Sequence, residues 1–119
     1  DFPPKVFAHN PVADADGYGY AAMINESLES DPLGIAFRYG TDSFPFLNEW
    51  KLLDRGDYVV GIEPNNAGIL DRLDAREAGD LRILEPGQKV VYDCEIRVLD
   101  GMEEIDEFRA KVAGVMEGS

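Results

Sequence analysis

Few residues in this chain are equipped for chemistry. In the stretch GDYVVGIEPNNAG, Gly56 to Gly68, a carboxylate, Glu63, ends the run Tyr58, Val59, Val60, Gly61, Ile62 and stands immediately before Pro64 and a turn. Alternation along a strand puts Glu63 on the face of Val59 and Gly61, with Tyr58, Val60 and Ile62 on the other. Gly61 leaves space beside the acid. A carboxylate partly withdrawn from water at a strand end can serve as a general base near neutral pH, whereas one hydrated at a rim does nothing chemical. The pattern alone leaves both readings open.

The other reactive side chains exclude more than they suggest. His9 is the single histidine, which removes any site built on two imidazoles from one chain and makes a zinc centre a poor fit. Cys94 is also alone, so no intrachain disulfide forms, and its place in KVVYDCEIRVL reads as a small buried hydrophobe. DADG, Asp14 to Gly17, resembles the start of a calcium loop but fails on spacing. Counted from Asp14, glycine comes fourth instead of sixth, and Asn25 stands where a bidentate glutamate belongs. It reads as a solvated turn. No metal and no cofactor are expected.

Composition bounds the rest. A chain of 119 residues with 45% hydrophobic and 10% aromatic content folds as a single globular domain. Its 24 Asp and Glu against 11 Lys and Arg give a net charge of −13, the wrong sign for nucleic acid or an anionic membrane. No segment has the length of an apolar membrane span or signal peptide. A soluble, cytoplasmic protein is expected. Of the acids 13 are Asp, and only four of the bases are Lys, a balance that suits hydration in concentrated salt as well as simple solubility.

The elements that must position these residues are mostly extended. KVFAH (Lys5 to His9), YGYAAMIN (Tyr18 to Asn25) and LGIAFRYG each read as strands. In the last, Leu33, Ile35, Phe37 and Tyr39 share one face, expected to be the buried one. FPFLNEWKLL, from Pro45, and DYVVGIE are joined by the turn DRGD and are placed to pair antiparallel. ILDRLDAREAG, Ile69 to Gly79, fits either a short helix or a loop. After the Pro86-Gly87 turn, Val90, Tyr92, Cys94, Ile96 and Val98 alternate with Lys89, Asp93, Glu95 and Arg97, which predicts one long strand. Met102, Ile105, Phe108, Val112 and Val115 recur at helical spacing, predicting an amphipathic helix from Met102 to about Ala113. Its start is favoured by Glu103 and Glu104. No repeat, low-complexity tract or linker interrupts the chain.

Taken in order, HNPVADADGYGYAAMIN, FPFLNEWKLLDRGDYVVGIEPNNAG and LEPGQKVVYDCEIRVLDG resemble the C-terminal part of the galactose-mutarotase-like superfamily, in a branch related to aldose 1-epimerases. The resemblance runs from about His9 to Gly101 and is strongest at Trp50-Lys51, GIEP and LEPGQ. It implies a large antiparallel β-sandwich with an open sugar-binding cleft across one sheet, so that with the C-terminal helix the fold class is mainly β. It also implies a carbohydrate-active protein that interconverts sugar anomers. In that family a late Glu takes the proton from the anomeric hydroxyl while a His protonates the ring oxygen, and Glu63 matches the Glu by position. The acid belongs to a segment upstream of the matched region, and His9 reads as structural or rim-exposed. Trp50, otherwise an edge-strand aromatic, would line the cleft against a sugar ring. Arg38, Asn48 and Asn65 would supply hydrogen bonds. The chain is therefore expected to be the C-terminal portion of a larger sandwich, completed by the rest of the same protein or by self-association. A non-catalytic sugar-binding or regulatory module on the same scaffold is the alternative.

Overall fold

The alternating segments between Lys5 and Glu63 form strands, and the two joined by DRGD pair antiparallel as expected. In the computed structural model, which describes residues 5–9, 11–28 and 31–117, the strands are β1 (Lys5–His9), β2 (Tyr18–Asn25), β3 (Leu33–Gly40), β4 (Phe46–Asp54), β5 (Asp57–Asn65) and β6 (Cys94–Asp100). Helix α1 (Arg72–Ala78) lies between β5 and β6, and α2 (Met102–Glu117) ends the chain. The protein is mainly β, with two antiparallel three-stranded sheets and a C-terminal helix. No described helix is long and apolar enough to cross a membrane. Two compact units are distinguished: Asp1–Pro11 with Asp42–Tyr92, and Val12–Thr41 with Asp93–Ser119.

In the first unit the sheet order is β1-β4-β5. β4 and β5 join through a tight turn at Arg55 and Gly56, where Gly56 takes a left-handed φ of 88° that suits glycine. Pro64 falls inside β5, opposite Leu47. It is tolerated because β5 is an edge strand and needs no donor on its open side. The segment Ile69 to Gly79 contains a short helix. The Asp71 carboxylate caps it by accepting from the Asp74 N–H at 2.9 Å, and Gly79 closes it with a φ of 78°.

In the second unit the order is β2-β3-β6, and α2 covers one face of the sheet. The core there joins Ala36, Leu99 and Ile105, flanked by Ala22, Ile24 and Phe108. This corrects the expectation for β3. Leu33 and Ile35 are about half exposed, whereas Gly34 and Ala36 are buried. A helix approaches a sheet most closely over small side chains, and a Cβ at Gly34 would already stand 3.1 Å from Ile24 and 3.3 Å from Leu99. Tyr39 on the opposite face is fully buried, lying where Gly19 leaves room.

Three further expectations are corrected. The long strand from Val90 begins only at Cys94, because the last ladder partner on β3 is Tyr39, opposite Cys94, and the Gly40 N–H bonds the Asp93 carbonyl just beyond it. Residues further back have no strand to pair with. Cys94 itself is exposed, since it opens a strand on the face that α2 does not cover. The helix begins at Met102 as expected but runs four residues past Ala113, to Glu117. Glu104 reaches back to accept from the Asp100 N–H at 2.5 Å.

Candidate functional site

The antiparallel register of β4 and β5 brings the predicted residues of the first unit together. Asn48 stands opposite Glu63, Trp50 opposite Gly61, and Phe46 opposite Asn65. Paired residues share a face, so Asn48, Trp50, Glu63 and Asn65 all project to one side of the sheet. Val6 of β1, opposite Trp50, joins them.

The carboxylate of Glu63 folds back over Gly61: a Cβ built on Gly61 would lie 2.6 Å from Glu63 Oε1. The glycine is thus the space that receives the acid. Glu63 is exposed and Trp50 half-buried. Asn48 is 94% withdrawn from solvent, being 6% accessible. Its Nδ2 donates to the Ala67 carbonyl at 3.3 Å, while its Oδ1 has no hydrogen-bond partner among the described residues. A buried amide oxygen without a donor is costly, by about 1–3 kcal/mol, and uncommon in folded proteins. It sits beside the one acid to which the sequence assigns chemistry.

Beyond Glu63 the strand end opens onto two adjoining hollows. One, of about 270 Å³, is lined by Phe44, Pro64, Asn65, Asn66 and Tyr92. The next, of about 590 Å³, shares Asn66 and Tyr92 and adds Arg82 and Gln88. Their walls are tied in place. The Asn65 Oδ1 accepts from the Ala67 N–H at 3.2 Å, turning the chain after β5. Asn66 donates to the Tyr92 hydroxyl at 2.8 Å, and the Phe44 and Tyr92 rings pack with centroids 5.0 Å apart. Arg82 donates to the Asp42 carbonyl at 2.7 Å, and the Ser43 hydroxyl bonds the Val91 carbonyl. Ile83, Leu84 and Val90 complete the lining of the larger hollow.

Phe44, Asn66, Arg82 and Tyr92 were not singled out by the sequence reading. They converge through loop contacts, and the only signal available was the density of Asn after Glu63. Arg38 falls outside this register, on β3 of the second unit, with its Cζ 3.5 Å from the centroid of the Tyr18 ring. The side chain of His9 lies outside the described part of the structure. The DADG segment is a built turn: Asp14 Oδ1 accepts from the Asp16 and Tyr18 N–H groups and Oδ2 from the Tyr20 hydroxyl. The Tyr20 bond foremost, with the Tyr18 backbone bond, holds the Asp14 carboxyl below its ordinary range.

Fold and site together define an antiparallel β protein with a carboxylate, a buried amide and aromatic-lined hollows on one sheet and the strand end beside it. The family is shown by a match over residues 1–98 to the domain of unknown function DUF4432, and the chain belongs to that family. No curated protein and no solved structure matches it.

Proposed function

We propose that the protein is carbohydrate-active, related to the galactose-mutarotase-like superfamily, and that it interconverts sugar anomers with Glu63 as general base. The reading is carried by one observation: the strand register sets Glu63 on one face of the sheet with Asn48, Trp50 and Asn65. A sugar ring stacked on the half-buried Trp50, one register step away, would lie within reach of the carboxylate. Glu63 would take the anomeric proton, and an acid on the far side of the ring would protonate the ring oxygen as it opens. Asn48 and Asn65, on the same sheet as Glu63, remain proposed as hydrogen-bonding residues.

Polarimetry on a freshly dissolved pure anomer, corrected for spontaneous mutarotation, tests this. Glu63→Gln keeps volume and hydrogen-bonding capacity but cannot accept the proton. It should slow interconversion by about a hundredfold or more while sugar affinity holds. Equal rates for the two proteins would remove Glu63 as the base. A second reading, a sugar-binding module without chemistry, is favoured by the lining of the hollows, where Phe44, Tyr92, Asn65, Asn66 and Arg82 supply contacts but no general base. Saturable sugar binding with no rate from wild type on a broad aldose panel would select it.

A further inference from the structure

The helix-covered face of β2-β3-β6 holds a different convergence of charge. Register sets Tyr20, Arg38 and Glu95 in one row and Ala22, Ala36 and Arg97 in the next. Ala36 is too short to fill the space under α2, and a cavity of about 180 Å³ remains beside it. Ala36 forms its floor. The rings of Tyr20 and Phe108, edge to face with centroids 6.3 Å apart, form its apolar wall. Arg38, Arg97 and Lys111 line it with Glu95 and Glu107, so cations exceed acids by one (three less two).

That excess is unusual in a chain of net charge −13 with only 11 basic residues. Arg38 is engaged, stacked on Tyr18, and its contact with the Tyr20 hydroxyl foremost raises its affinity for its proton. Glu95 lies across the ladder from it. Arg97 makes no hydrogen bond or ion pair to any described residue. Among the described residues Lys111 has only the Tyr20 ring, 5.0 Å from its Nζ. Two cations therefore stand at the mouth of a small, half-apolar cavity with no carboxylate of the described residues bonded to them.

We propose that this cavity binds a small ring carrying a single carboxylate, the ring over Ala36 against Tyr20 and Phe108 and the carboxylate between Arg97 and Lys111. The size fits, since an apolar cavity of roughly 150 Å³ accepts one six-membered ring. The charge fits as well, because one carboxylate neutralises the surplus cation and gives both donors a charge-assisted hydrogen bond. The site is independent of the role assigned to Glu63.

The test is titration of the full chain with benzoate and with glucuronate, followed by the backbone amide resonances of residues 105–112, with benzamide and methyl glucoside as neutral counterparts. One acid or both should bind, with the neutral counterpart and the Arg97→Gln/Lys111→Gln double variant each weaker by about tenfold or more. Both replaced side chains are exposed, so the fold survives the change. Benzoate alone would identify an aromatic acid, glucuronate alone a sugar acid. No response to either acid, or equal affinity for acid and neutral analogue or for variant and wild type, would overturn the proposal and leave the two cations as solvated rim.

Discussion

At the scale of single residues, Gly61 is explained by its neighbour. The volume that a side chain at 61 would fill is taken by the Glu63 carboxylate, 2.6 Å from the would-be Cβ. The obstructing atom is the free end of a flexible side chain, so Gly61→Ala should change unfolding free energy by less than about 1 kcal/mol while displacing the acid from its place beside Asn48. Under the proposed mechanism the anomer interconversion rate falls toward that of Glu63→Gln; an undiminished rate would mean that the carboxylate's position is immaterial. Tyr39 makes a prediction about pH. Burial pushes its hydroxyl up from 10.0 to about 12, so the folded chain holds a proton that the unfolded chain releases first. The stability tied to that proton is fully present below pH 10 and is lost as pH rises toward 12. Tyr39→Phe keeps the ring over Gly19 and cannot ionise. Its urea midpoint should fall less than that of wild type across this window, by a difference on the order of 2 kcal/mol at the alkaline end. Parallel curves would show that Tyr39 does not govern alkaline unfolding.

At the scale of elements, α2 is held to its sheet chiefly through Ile105, which is fully buried against Ala36 and Leu99. Ile105→Ala should cost about 2–5 kcal/mol in urea unfolding followed by helical circular dichroism. Met102→Ala, at a side chain 38% exposed, should cost far less, and equal losses at the two sites would contradict the packing. Period two and period 3.6 made the first five strands and this helix legible, because those patterns record which side chains share a face. They do not record what covers that face. Leu33 and Ile35 therefore looked like core, yet the helix settled on Gly34 and Ala36. Val90 and Tyr92 likewise continue the alternation of β6, but a strand exists only where a neighbour offers hydrogen bonds, and β3 ends first. Of the candidate site, strand alternation marked Glu63, while Trp50, Arg38, Asn48 and Asn65 came with the family resemblance; the β4–β5 register puts Asn48, Trp50, Glu63 and Asn65 on one face and leaves Arg38 on β3. Phe44, Arg82 and Tyr92 were hidden because loops bring them together, and loop contacts leave no period.

At the scale of the whole molecule, the dominant quantity is the net charge of −13. A compact chain carrying that charge repels itself, and mobile ions screen the repulsion within roughly 10 Å at 0.1 M salt and 3 Å at 1 M. Screening also weakens attractions, but those at stake are small. The ion pairs of Lys51 with Glu49 and of Arg109 with Glu26 are between a quarter and a half exposed, and such pairs contribute roughly 0–1 kcal/mol each. Repulsion therefore decides the sign, and the melting temperature should rise with potassium chloride. The shape of the rise separates two causes. If screening of like charges is the whole effect, most of the gain arrives within the first few tenths molar, where the screening length falls most steeply. If the Asp-rich surface is instead adapted to concentrated salt, the melting temperature keeps climbing into the molar range and sodium and potassium differ. A melting temperature that is flat or falls from low salt onward would show that the acids are balanced locally by the 11 bases, and that the net charge has no bearing on the stability of the fold.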